Sequence, residues 1–258
     1  MGSSEARISS VKKAINIIEL LRSNDDATTK EVAEALDISK TSAYYYLQTL
    51  SESGYVVNDD GRYSLSLRIF TLGADIRSRQ PVYRNICGQV NRLANKTGEL
   101  SLFMLAEEGM GTYVYMSRGK NAGIKSDWLG NRCHLHNNAL GKAILSVLPK
   151  NSVREIIRDH GLPKSTENTI TEKKPLFNEL SKIRKRGVAF DHEEQISGLQ
   201  CVAAPVVDIN QDNQSASGAI CIACPTSRMD RDRRNEEFPR LVQDAANVIQ
   251  LNQVSEER

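Results

Sequence analysis

The sequence predicts an α+β chain: a winged helix-turn-helix over residues 8–69, then a linker helix leading into a second α+β domain over residues 70–253. Three observations predict it. Apolar residues recur at three- and four-residue spacing as far as Leu50; two β-rich runs around an Asp-Gly turn follow at once. Beyond residue 80, helical stripes mix with extended apolar runs, without an internal repeat. A chain of 258 residues has room for two cores, and its 40% hydrophobic content is ordinary for a globular protein.

Ile8, Val11, Ile15, Ile18 and Leu21 place one buried face on a first helix. Thr28 and Glu31 have the spacing of a capping box, in which the hydroxyl accepts the N–H of residue 31 and the glutamate reaches back. A second helix then carries Val32, Ala33 and Leu36 inward, and the chain turns at Asp37-Ile38. Ser39 caps a third helix whose inward residues are Ala43, Leu47 and Leu50. Its other positions, Lys40, Thr41, Ser42, Tyr44, Tyr45 and Gln48, carry hydrogen-bonding side chains. Gly54 suits a helix C-cap, and the runs at 55–57 and 62–65 flank Asn58-Asp59-Asp60-Gly61 as the hairpin wing.

Such a unit has a specific use. The third helix enters the DNA major groove, where short polar side chains reach base edges and basic ones meet phosphate. The candidate DNA contacts are therefore Thr28, Lys40, Thr41, Ser42, Tyr44, Tyr45, Gln48 and Arg62. A winged helix used only for protein contacts would leave so polar a third helix without purpose.

The second domain follows a linking helix over about 68–80, which carries Leu67, Phe70, Leu72, Ala74 and Ile76 on or beside it. Pro81 opens another helix with the stripe Val82, Ile86, Val90 and Leu93, ending at Thr97-Gly98. Two strands at 99–106 and 112–117 surround Glu107-Glu108-Gly109. Helices are expected over 138–148, 153–160, 175–186 and 234–254, and extended runs over 199–207 and 218–224.

Charge gives DNA binding little general support. Residues 1 to 80 hold ten Lys and Arg against eleven Asp and Glu, so attraction must come from placement, with Lys12, Lys13, Lys40, Arg62 and Arg68 on elements that can meet phosphates. So few cations per subunit predict a dimer on double-stranded DNA carrying an inverted repeat.

Other classes are disfavoured. The apolar runs are too short and interrupted to span a membrane, and the N-terminus lacks the layout of a signal peptide, so a cytoplasmic location is expected. Five cysteines without a regular framework fit reduced thiols. Cys221 and Cys224 form a CxxC, but on a strand positions i and i+3 point to opposite faces and cannot share a zinc ion. Cys133, His134, His136 and His192 match no common zinc spacing. Gly141-Lys142 lacks the upstream glycine and the following Ser or Thr of a P-loop. No metal, cofactor or enzymatic activity is expected.

Three ordered blocks carry a resemblance to a known family. The third helix, with Lys40-Thr41-Ser42-Ala43-Tyr44 and Leu47-Gln48-Thr49-Leu50, is similar to the recognition helix of the IclR family of transcriptional regulators. His136-Asn137-Asn138-Ala139-Leu140-Gly141-Lys142-Ala143 resembles that family's H-x-[ST]-A-x-G-K-A block. Residues 186–194 followed by 198–206 resemble its closing signature. The resemblance implies that the second domain is GAF-like and binds a small effector, that the protein is a homodimer or tetramer, and that Asp191, Cys201, Cys221 and Ala223 line the cavity. The backbone at Ala139, Leu140 and Gly141 completes it: N–H groups at a helix start favour an anionic group, and glycine permits close approach. Asp191 is placed to accept from a ligand hydroxyl.

Departures from the family pattern matter. Asn138, Cys221 and Ala223 stand where serine is common, which leaves fewer hydroxyl donors, and Tyr45 stands where arginine is frequent, so the DNA sequence read is its own. The expected effector is an organic acid or a sugar-derived metabolite, acting by population shift on a repressor. Two alternatives draw on the same residues. Cys201 and Cys221 on neighbouring strands offer redox sensing. Asp191, His192, Glu193 and Glu194 offer acid–base groups beside Cys201 as nucleophile, although that cysteine lies in an apolar run and the cluster reads as a solvated loop.

Overall fold

The computed structural model describes residues 8–79, 83–123, 128–207 and 216–255. The chain divides into two compact units, Met1–Arg79 and Gln80–Arg258. In the first, α1 (Ser9–Asn24) is followed by β1 (Asp26–Thr28), α2 (Thr29–Ala35), α3 (Lys40–Glu52), β2 (Val56–Asp59), β3 (Arg62–Leu65) and α4 (Leu67–Ser78). The capping box forms as its spacing predicts: Glu31 N–H donates to Thr28 Oγ1 at 3.3 Å, and Thr28 N–H donates to Glu31 Oε2 at 2.7 Å. Ser39 caps α3 through the N–H of Ser42, and Asp37 between the helices has φ 50°. The wing turns on Asp60 and Gly61, at φ 47° and 83°, the positive pair that a two-residue hairpin needs; Asn58 Oδ1 accepts the N–H of Gly61.

The inward face of α1 differs from the expected one. Ile17 and Leu21 are buried and Ile18 half-buried, whereas Ile8, Val11 and Ile15 are 61%, 54% and 53% exposed. Two apolar stripes run along this helix, offset by roughly a quarter turn at about 100° per residue. Spacing alone does not say which of them meets the core. Strand β1, three residues without a readable pattern, was not expected; it pairs with β3 to give the sheet order β1-β3-β2. Ile17, Leu21, Val32, Ala43, Leu47, Val56 and Tyr63 are the centre of this unit's core. On α4 no residue is buried, and Leu67, Phe70, Leu72 and Ile76 are exposed.

The second unit runs α5 (Tyr83–Thr97), β4 (Leu100–Glu107), β5 (Met110–Arg118), β6 (Arg132–His134), α6 (Ala139–Val147), α7 (Lys150–His160), α8 (Lys173–Arg186), β7 (Ala189–His192), β8 (Leu199–Val207), β9 (Ala216–Pro225) and α9 (Phe238–Ser255). The expectations at Pro81 and Val82 lie outside the described residues. A π-helical turn, Arg233–Glu237, precedes α9 where one uninterrupted helix was expected.

The strands form one antiparallel sheet in the order β6-β5-β4-β9-β8-β7, with helices on both faces, which fits a GAF-like domain. Alternation along each strand sorts side chains into two layers. Val202, Ile220 and Ile222 join α5 and α9 on one face; Cys201, Ala203, Cys221 and Ala223 join α6, α7 and α8 on the other. Cys221 and Cys224 fall in different layers, as their spacing on a strand requires.

Candidate DNA-reading face and effector site

Lys40, Thr41, Tyr44, Tyr45 and Gln48 lie at i, i+1, i+4, i+5 and i+8 on α3, one continuous exposed face opposite Ala43 and Leu47. Tyr44 and Tyr45 are 47% and 63% exposed, and their rings meet edge to face at 5.8 Å. The remaining three predicted contacts already have work within the unit. Ser42 accepts from the Ser39 hydroxyl at 2.9 Å, and Thr28 holds the cap of α2. Arg62 donates from Nε to Asp26 Oδ1 at 3.0 Å and lies 3.9 Å from Glu31 Oε2. Its guanidinium holds the Asp26 carboxyl below its ordinary range. Arg68, read as facing phosphate, stacks over the Tyr55 ring at 5.0 Å.

In the second unit, sheet register brings most of the predicted effector residues together. Asp191 on β7 pairs with Cys201 on β8, Cys201 pairs with Ala223 on β9, and Ala223 pairs with Leu100 on β4, a row across four strands. Cys221, two residues before Ala223, points to the same face, and Ala139 and Leu140 of α6 pack there. Asn138 caps α6 by accepting the N–H of Gly141 at 2.8 Å, and its carbonyl takes the N–H of Lys142 at 3.0 Å. Ala139 and Leu140 are thus the first-turn N–H groups that the cap does not use.

Gly141 departs from its predicted part. Its N–H is spent on the cap, and a Cβ there would overlap the backbone carbonyl of Leu135. The glycine makes room for the chain's own backbone rather than for a ligand.

The acidic segment at 191–194 is not a solvated loop. Asp191 and Glu194 are buried, and Glu194 forms an ion pair with the buried ammonium of Lys142, with Oε2 at 2.5 Å. Among the described residues Asp191 has no ion pair of its own; it accepts the N–H of Glu194 at 2.7 Å. Burial pushes its carboxyl up to about 7, against the backbone hydrogen bond and with the Glu194 charge adding to the rise. The thiols of Cys201 and Cys221 are likewise driven well above the usual range by burial, which disfavours the thiolates that both redox sensing and nucleophilic attack require.

Sequence reasoning missed several groups here. Neither the family block nor the absent phosphate loop marks Lys142 as the buried partner of Glu194. Tyr113 donates to Gln195 Oε1 at 3.1 Å, and its ring meets Trp128 edge to face at 5.0 Å. Trp128 is 6% exposed, and its indole nitrogen has no acceptor among the described residues. His134 and His136 lie 5.6 Å apart between ring centres, with His160 at 6.5 Å from His134. His136 meets the Pro163 carbonyl at 3.0 Å and His160 that of Glu108 at 2.7 Å. Among the described residues no three His, Cys, Asp or Glu converge as metal ligands, and no helix is long and apolar enough to cross a membrane.

Comparison with known proteins follows the same division. Residues 75–251 match the model of the bacterial transcriptional regulator IclR C-terminal domain, and residues 10–60 match that of the IclR helix-turn-helix domain. The HTH-type transcriptional regulator KdgR of Escherichia coli is 29% identical over 244 residues, covering 94% of this chain and 91% of that protein. A probable HTH-type transcriptional regulator, ArcR of Halobacterium salinarum, is 28% identical over 249 residues, covering 95% and 94%. The crystal structure of the Thermotoga maritima IclR superposes with a TM-score of 0.79 at 28% identity, covering 95% of this chain and 98% of that one.

Proposed function

The chain belongs to the IclR family of transcriptional regulators and is a DNA-binding regulator, and from that premise we propose that it is a cytoplasmic homodimeric repressor released or engaged by a small organic acid or a sugar-derived metabolite. The exposed α3 face carries this reading: Lys40, Thr41, Tyr44, Tyr45 and Gln48 present donors, acceptors and two aromatic edges on a helix whose other side is core. Ser42, Thr28 and Arg62 contribute by holding α3, α2 and the wing, or by exchanging their present partners for phosphate.

Dimerisation supplies the symmetry. Leu67, Phe70, Leu72 and Ile76 on α4 and the second stripe of α1 leave apolar surface that a partner subunit would cover. Two α3 helices then meet an inverted repeat with half-sites about one helical turn, or a multiple of it, apart. The effector lies on the sheet face of α6, with its anionic end at the N–H groups of Ala139 and Leu140, a hydroxyl on Asp191, and Cys201, Cys221 and Ala223 as the wall. A coupling of about 1–3 kcal/mol changes operator affinity by roughly 5- to 150-fold.

Footprinting of the purified protein on DNA flanking its own gene tests the reading, at near-physiological salt with excess competitor DNA. The expected result is a protected inverted repeat that Thr41→Ala or Tyr44→Ala weakens by about 1–3 kcal/mol without lowering thermal stability. Protection that both variants leave intact would move the DNA contacts off α3.

A further inference from the structure

Buried polar groups almost always have partners, so an orphan among them calls for an explanation. Trp128 is such an orphan: the chain's sole tryptophan, 6% exposed, with an indole N–H that meets no acceptor among the described residues. An indole can only donate, so what it lacks is an acceptor atom. Its surroundings say where that acceptor belongs. The ring stands edge to face with Tyr113 at 5.0 Å, inside the same packed layer as Cys201, Cys221, Ala139 and Leu140. Cys133 belongs to the same layer, and its thiol lies 3.5 Å from Asn138 Nδ2. Asn138 is the cap of α6, so the orphan donor shares one packed layer with the start of α6, where the N–H groups of Ala139 and Leu140 are not taken by that cap.

We propose that Trp128 is an effector-contacting and specificity-determining residue, whose indole N–H donates to a carboxylate oxygen of the bound acid. This inference rests on the effector site proposed above and adds a third kind of donor to it. A ligand without an oxygen acceptor at that end would leave the indole N–H as it is in the free protein and would gain nothing from Trp128; a carboxylate satisfies it. Because an unmade hydrogen bond in a buried site is costly, the site discriminates against analogues in which that oxygen is replaced by a methyl group.

A single tryptophan makes the test direct, since the full-length protein labelled with nitrogen-15 has one indole signal. Titration with millimolar lactate and benzoate, followed by that signal and by the backbone signals of Ala139 and Leu140, is expected to move the indole proton downfield and saturate together with the backbone shifts. Trp128→Phe keeps a ring beside Tyr113 and removes the donor. It is expected to bind the same acids about 5- to 30-fold more weakly, with thermal stability retained. Saturable shifts at Ala139 and Leu140 with a stationary indole signal, and unchanged affinity in Trp128→Phe, would overturn the inference and leave the effector site standing. Acids that disturb neither Trp128 nor the start of α6 would instead remove the site, and the inference with it.

Discussion

The two units of this chain use polar residues in opposite ways. On α3 the groups proposed to read DNA are exposed and, at Lys40, Thr41, Tyr44 and Tyr45, without hydrogen-bonded side-chain partners among the described residues of their unit, so they cost the fold little and keep their donors and acceptors available. In the second unit Asp191, Glu194, Lys142 and Trp128 are all buried, where each charge must be paired or neutralised and each hydrogen bond counts for more. On the proposed function, the contrast separates a reader, whose residues can change with the operator at little expense in stability, from a sensor, whose residues are bound up with the core that holds them.

The largest effect that this contrast predicts is at Glu194. Replacing it with alanine strands the ammonium of Lys142, which is 1% exposed and has Glu194 as its ion-pair partner. Losing one member of a buried pair costs about 3–5 kcal/mol. Denaturant unfolding of Glu194→Ala should show a loss of that size confined to the second unit. A change below about 1 kcal/mol would mean that water reaches Lys142 and that the sensor is less closed than its geometry indicates.

Asp191 sharpens the comparison through pH. Its carboxyl, raised by burial to about 7, is above the ordinary value of 3.8, so between those values the folded chain binds more protons than the unfolded one. Stability from this group is therefore present at low pH and is lost as pH rises through about 7. His134, His136 and His192, each lowered by burial, act with the opposite sign, so the informative quantity is the difference between variant and wild type. Asp191→Asn cannot ionise, and its melting temperature relative to wild type should be higher at pH 8 than at pH 5. Parallel pH curves for the two proteins would show that Asp191 is solvated in the free protein.

What was legible beforehand follows the same line. Thr28 with Glu31, and Asp60 with Gly61, are local chemistry: a cap and a turn are decided within four residues, and both form as their spacing predicts. The alternation of Cys201 and Cys221 against Val202 and Ile222 is set by strand period and sorted correctly into two layers. The buried face of α1 was not legible, because two apolar stripes compete and only the packing of α2, α3 and the wing selects between them. The pairing of Lys142 with Glu194 joins residues 52 positions apart, and neither local pattern hints at the other. A glycine at 141 suggests room for a ligand, but the Leu135 backbone fills that room, and the empty donor of Trp128 exists only once the sheet has closed around it.

Arg62 gives the smallest expected effect and the finest cut between the two kinds of residue. It was assigned to DNA by residue type and position on the wing, yet its guanidinium is held by Asp26 at the start of β1 and lies near Glu31. Exposed pairs of this kind contribute little to stability, so exchanging a carboxylate for a phosphate is an available step. If the exchange takes place, Arg62→Gln removes one phosphate contact per subunit, and the slope of log affinity against log salt concentration should fall by about 0.9 per protomer. The melting temperature should stay where it was. Asp26→Asn, which frees the guanidinium, should tighten operator binding at low salt. An unchanged slope in Arg62→Gln would assign the arginine to the joint between β1 and the wing, and reading would then rest on α3 and on cations whose side chains the unit's own acids do not already hold.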